Sequence, residues 1–180
     1  MQLSATKKLV FCAICVALCV VLPMAFHALG SGTVFLPMHV PVLLCGLVCT
    51  WPYGVVCGLL GPLLSSVLTG MPAMGYLPCM MVELGAYGLL CGLFMKFVRT
   101  GKIYADLYIS LVGGLLIGRV IPGLFRALIF SPGSYSLAAW ATGYFVTCLP
   151  GLVIQLVLVP SIVFALMKAR LVPMRYPAKH

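Results

Sequence analysis

The sequence predicts an all-α membrane protein: a six-transmembrane-helix bundle that forms a single domain over residues 1–180. Three observations carry the prediction. Hydrophobic residues make up 63% of the chain and charged residues 7%, against about 45–50% and about 25% in soluble globular proteins. Mean hydropathy is +1.21, and Glu83 and Asp106 are the only two acidic residues, so a water-facing surface cannot be built. Long apolar runs recur between Gly, Pro and basic punctuation, and a helix needs about 20 apolar residues to cross a bilayer.

The elements follow in order. Residues 8–26 form the first helix, behind Lys7 and Lys8. The start could pass for a signal peptide, but the chain that follows is equally apolar, so the helix is read as retained. Residues 40–50 form a second, short helix that borrows apolar residues from 34–36 or sits beneath a loop. Trp51-Pro52-Tyr53-Gly54 reads as a turn. Residues 54–68 form the third helix, and 69–75 a loop. Residues 78–98 form the fourth, with Pro78 in the permissive first turn. Arg99, Gly101 and Lys102 make the next turn. Residues 103–129 form the fifth helix, unless it ends near residues 122–125. Residues 137–167 form the sixth, too long for one straight span and interrupted by Pro150 and Pro160, which predict a kink or an initial interfacial turn.

Charge placement sets the orientation. Nine of the eleven Lys and Arg residues fall at the N-terminus, between helices 4 and 5, or after helix 6. With six crossings these sites share one side, which the positive-inside rule makes the cytoplasm, so both termini are cytoplasmic. The net charge of +9 is thereby explained by topology and anionic headgroups, and no nucleic-acid partner is expected. The nine cysteines lie almost wholly in apolar runs. Cys12-x-x-Cys15 copies a metal or redox spacing, but no second pair, His or acid stands near it. The cysteines read as small apolar residues, with no metal site and no cofactor.

The remaining ionisable residues lie inside the membrane segments, where such groups are expensive and default to function. Glu83 is about 8 Å inward from the outer end of helix 4. Arg119 lies at a similar depth on helix 5, and Arg126 about two turns further out on nearly the same face. Two arrangements fit. Glu83 and Arg119 could form a plain ion pair, with Arg126 snorkelling to the interface. Alternatively the three line an outward-open pocket, in which an Arg fork holds a carboxylate or phosphate. One acid cannot neutralise two arginines, which favours the pocket. His39, between Pro37 and Pro41, has a fixed presentation, and His27 ends helix 1. Ser65, Ser66 and Thr69 mark the outer end of helix 3. Tyr87 on helix 4 and Tyr144 complete the candidate substrate-binding set of His39, Glu83, Arg119, Arg126, Tyr87, Ser65 and Tyr144. No residue is assigned a catalytic role. Gly54-x-x-x-Gly58, Gly88-x-x-x-Gly92 and Gly114-x-x-x-Gly118 permit close helix contacts, and Ala13-x-x-x-Ala17 places two small residues one turn apart on helix 1.

The run FLPMHVPVLLCGLVCTWPYGVVCGLLGPLLSSVLTGMPAM, followed by LPCMMVELGAYGLLCGL, resembles the substrate-binding S components of energy-coupling factor (ECF) vitamin transporters. The length, six-helix layout and cytoplasmic termini agree with that family across the chain. The resemblance implies a multi-pass protein of the bacterial plasma membrane that binds a vitamin-like solute at its outer face. It also implies docking through Ala13 and Ala17 on a coupling transmembrane subunit that works with two ATPase subunits. The implied mechanism ends with toppling in the membrane and release of the solute inside. Niacin, pantothenate, α-ribazole or another cobalamin precursor, and the thiamine pyrimidine precursor are the candidate solutes. The chain has no Gly-x-x-x-x-Gly-Lys-Ser/Thr run, so ATP hydrolysis belongs on separate subunits. Two other classes compete with this reading. A small membrane enzyme would need an acid–His set, for which Glu83 with His39 is the one conceivable pair, with no second acid behind it. A non-catalytic scaffold or channel is the other; a channel would need a polar stripe along a whole helix, whereas the polar residues here stay in the outer half.

Overall fold

The computed structural model describes residues 3–28, 36–127 and 137–176. Among these, every regular element is helical: α1 (Ala5–Ala28), α2 (His39–Cys49), α3 (Trp51–Thr69), α4 (Leu77–Phe97), α5 (Ile103–Phe125), α6 (Leu137–Ala141) and α7 (Leu149–Lys168), with a π-helical stretch, Thr142–Thr147, between the last two. Five of them, α1, α3, α4, α5 and α7, are long and apolar enough to cross a membrane, whereas α2 has 11 residues. The expected outer connections at 131–134 and 29–35 lie outside the described residues.

Every residue of α2 is buried. The helix is apolar all round, and it touches α1, α3, α4, α5 and α7. A helix of that pattern belongs in the interior, so α2 is the post around which the longer helices stand. The outward faces of those longer helices are the reverse of a soluble surface. Leu9, Ile14, Val67, Leu68, Leu116 and Val157 are all exposed, and hydrocarbon is the solvent that accepts them.

Glycines set the tightest contact, between α3 and α4. A Cβ on Gly88 would collide with the Gly54 carbonyl, one on Gly58 with the Leu84 carbonyl, and one on Gly92 with the Trp51 backbone. The two small-residue motifs predicted on separate helices therefore meet each other, backbone against backbone. Gly118 of the third motif lies against the Tyr87 ring and brings α5 onto α4.

Three boundaries differ from expectation. Trp51-Pro52-Tyr53-Gly54 is not a turn but the first turn of α3. The break falls on Thr50 alone, at φ 100° and ψ 163°, and Pro52 needs no intrahelical acceptor so near the N-terminus. The fifth helix ends at Phe125 and passes into a π-helical turn at Arg126. The sixth is divided: the irregularity occupies Thr142–Thr147 and Cys148, just before Pro150, while Pro160 sits inside α7 without ending it. The loop after α3 begins as predicted, with Gly70 in the left-handed conformation.

At the end of the bundle holding the N-terminus, the segment after α7 folds back. Asp106 is fully buried. It accepts hydrogen bonds from the Thr100 backbone N–H and hydroxyl, both at 2.7 Å, and from the Tyr176 hydroxyl at 2.6 Å. The Arg175 guanidinium pairs with it at 3.0 Å. One carboxylate thus fastens the C-terminal segment to the α4–α5 turn.

Candidate functional site

A cavity of about 620 Å³ opens at the other end of the bundle, within the range of small-molecule sites. Its wall is assembled from the last turns of α1 (Pro23 and His27), the start of α2 (Met38 and His39), the loop after α3 (Met71 and Pro72), and α4 (Met80 and Glu83). Arg119 of α5 and Arg126, just past its end, with Gly143 and Cys148 of the segment between α6 and α7, close it.

On one side stands a polar cluster in which the His39 Nδ1 has no hydrogen-bond partner among the described residues. His39 begins α2 and is 1% exposed. Its Nε2 lies 3.3 Å from Glu83 Oε1. The Tyr87 hydroxyl, one turn along α4, donates to the same oxygen at 3.2 Å. The His39 and Tyr87 rings sit 5.3 Å apart. The i, i+4 spacing of Glu83 and Tyr87 puts both on the α4 face that meets α2.

Arg119, on the other side, is 1% exposed, yet its Nε and Nη1 atoms find no hydrogen-bond acceptor among the described residues. The guanidinium lies over the Phe145 ring, 5.5 Å from its centre. Its backbone carbonyl accepts from Trp140 Nε1 at 3.2 Å, which ties α5 to α6. Arg126 stands nearer the mouth, over the Tyr76 ring at 5.6 Å. Met38, Met71, Met80, Pro23, Pro37 and Pro72 also line the cavity, so the site offers a cationic guanidinium, a polar carboxylate–imidazole cluster and an adaptable apolar surface.

Of the residues named from sequence, His39, Glu83, Arg119 and Arg126 share this cavity. Tyr87 is fully buried behind it and reaches it through Glu83. Ser65 is fully buried in α3, and its hydroxyl has no hydrogen-bond partner among the described residues; it does not line the cavity. The Tyr144 side chain lies outside the described residues. The ion pair expected as one alternative is not formed: Glu83 pairs with His39 rather than Arg119. Shared depth had suggested the pair, but depth along a helix does not fix which way a side chain turns. Ala13 and Ala17 lie on the exposed side of α1, while Cys12, Cys15 and Cys19 turn inward.

Phe145 and Trp140 were not singled out for the site. A π-helix winds more residues into each turn than an α-helix, so helical spacing misjudges which aromatic of this segment meets α5. The lining methionines carried only the signal of their position beside His39 and Glu83.

A family model described as ECF transporter, substrate-specific component, matches residues 7–171 of the chain. No curated protein matches, and no solved structure does.

Proposed function

Because the chain belongs to the family of ECF transporter substrate-specific components, which are transport subunits rather than enzymes, we propose that the cavity between α2, α4 and α5 is its solute site and that Arg119 holds an anionic group of the solute. The observation that carries this is the buried Arg119 side chain in the cavity wall, with two guanidinium nitrogens that have no acceptor among the described residues. A cation inside a membrane segment costs about 2.5–3.5 kcal/mol. An anionic group reaching the guanidinium would offset that cost with a charge-assisted hydrogen bond. The solute is a water-soluble vitamin or vitamin precursor, and a carboxylate-bearing one such as niacin or pantothenate fits the fork best. His39 and Glu83 bind its polar end, Arg126 its approach, and the methionines its apolar body. The same family membership weighs against using the His39–Glu83 pair for catalysis.

In this reading the chain forms one domain with six membrane crossings and both termini in the cytoplasm of a bacterium, α2 counting as the core of the sixth crossing. It docks through Ala13 and Ala17 on a coupling membrane subunit, whose ATPase partners supply the energy. The exposed small-residue face of α1, flanked by Leu9, Val10 and Ile14, supports the docking assignment. Ala13→Trp with Ala17→Trp is expected to leave solute binding intact and abolish uptake in cells; normal uptake would remove the docking assignment.

The solute assignment is tested on purified wild-type protein. Native mass spectrometry should find a retained vitamin-sized mass, and calorimetric titration should show binding of niacin or pantothenate with their uncharged counterparts, nicotinamide and pantothenol, at least 30-fold weaker. Equal affinity for the charged and uncharged members of each pair would reject Arg119 as the anion anchor.

A further inference from the structure

The bundle has a second cavity, of about 750 Å³, at the end away from the solute site. Lys8 of α1, Lys96 of α4, Arg99 and Arg175 line it together, with Thr50 at the α2–α3 break and Tyr176 of the C-terminal segment. The sequence has two acidic side chains. Glu83 is engaged by His39 at the opposite end, and Asp106 is fully buried and engaged by Arg175, Tyr176 and Thr100. No side-chain carboxylate is left in the chain for Lys8, Lys96 or Arg99. Three cations that could have spread over the bundle end instead converge on one concavity.

Two further observations say what kind of anion fits. The first is a cation held in place in the cavity wall: the Arg175 side chain is 10% exposed, its Nη1 pairs with Asp106 at 3.0 Å, and its Nη2 donates to the Lys96 carbonyl at 3.5 Å. The second is the rim. Phe97 is 71% exposed and Met174 65%, and both adjoin lining residues of the cavity in sequence or belong to it. A soluble polyanion would leave those apolar surfaces uncovered, whereas a molecule with an anionic head and hydrocarbon chains covers both.

We propose that this cavity is a binding site for the phosphate headgroup of an anionic phospholipid, with Lys8, Lys96 and Arg99 as the charge clamp and Arg175 as a cation held in place. The Asp106 clasp serves the site by holding Arg175 and Tyr176 over the cavity. The headgroup sits at the α2–α3 and α4–α5 junctions, and its chains run along the Phe97 face of the bundle. The site is separate from the solute cavity and does not depend on which solute that cavity takes.

The test uses the full chain in mixed phosphatidylglycerol–phosphatidylcholine nanodiscs, followed by native mass spectrometry. We expect one phosphatidylglycerol to be retained in preference to phosphatidylcholine. In a variant carrying Lys8→Gln, Lys96→Gln and Arg99→Gln, retention should weaken on the order of 100-fold, since each basic residue near a headgroup contributes roughly a factor of five. A charge-preserving variant, Lys8→Arg with Lys96→Arg and Arg99→Lys, should retain the lipid, which separates loss of charge from loss of fold. A further arm adds glycerol phosphate in millimolar excess. Retention of the lipid in its presence supports the membrane source, whereas displacement by it would overturn the lipid in favour of a soluble phosphate ester. Equal retention of the two lipids by the wild type, or undiminished phosphatidylglycerol retention in a folded triple-Gln variant, would overturn the site altogether.

Discussion

The two ends of this bundle treat a buried arginine in opposite ways. At the end holding the C-terminal segment, Arg175 meets Asp106 at 3.0 Å, and three further donors complete the carboxylate. At the other end Arg119 is more deeply buried, with Glu83 lining the same cavity, yet Glu83 is given to His39 and Tyr87. The sequence holds two acids, and the fold pairs one with Arg175 and the other with His39 rather than Arg119. An ion pair that merely held helices would look like the Asp106 cluster. The contrast is what the proposed anchoring of a solute anion by Arg119 calls for.

Three substitutions probe this contrast. The largest effect is expected from Arg119→Met. Losing one buried charge-assisted contact costs on the order of 2–5 kcal/mol, so affinity for the anionic solute should fall about 30- to several-thousand-fold in calorimetric titration. Solute-free thermal stability should not fall, because an uncompensated buried charge is being removed. A clear drop in solute-free stability would mean that Arg119 is structurally paired after all, and the two ends would be alike.

An intermediate effect is expected from Asp106→Asn, this time on stability. It leaves Arg175 beside a neutral amide, at a cost of about 1–3 kcal/mol. Thermal unfolding should occur at lower temperature, and trypsin should cut at Arg170 or Arg175 faster, while solute affinity stays within about twofold. Solute binding that collapsed with the clasp would show that the two ends are coupled.

Glu83→Gln should have the smallest effect. The amide keeps an acceptor for Tyr87, so the change is about 1 kcal/mol, or roughly fivefold in affinity. A loss as large as that of Arg119→Met would show that the carboxylate meets a charge on the solute directly, and would sharpen the assignment of polar ends within the cavity.

How much of this was legible in the sequence depends on what kind of information each feature needs. Composition and run length fix where apolar helices lie, so α1, α3, α4 and the start of α5 fall within a few residues of expectation. Residue types inside those runs also point to His39, Glu83, Arg119 and Arg126, because polar groups in apolar segments are conspicuous. The partner of each group was not legible. Glu83 and Arg119 share a depth, but pairing depends on how the helices are rotated about their axes. That rotation is set by contacts such as Gly54 against Gly88 and Gly118 against Tyr87, which no single helix reveals. The Thr50 break was misplaced for a related reason: Pro52 and Gly54 read as a turn, yet both are compatible with the first turn of a helix that starts at Trp51. The Asp106 clasp was invisible because it joins residues 70 apart in sequence, Asp106 and Tyr176.

The π-helical stretch Thr142–Thr147 bears on how such a site can be altered through evolution. A π-helix arises where one residue too many is accommodated within an otherwise α-helical path. Deleting a single residue there would return the path to α geometry and turn everything upstream of it by about 100° relative to α7, one residue's share of a helical turn. Phe145 would leave the Arg119 guanidinium and Trp140 would leave its carbonyl, while Val159, Val163 and the rest of the α7 core kept their positions. A one-residue length change in this short stretch would therefore rewrite one wall of the cavity without disturbing the bundle. Relatives that differ in length here, rather than in composition elsewhere, are where a change of solute should be sought.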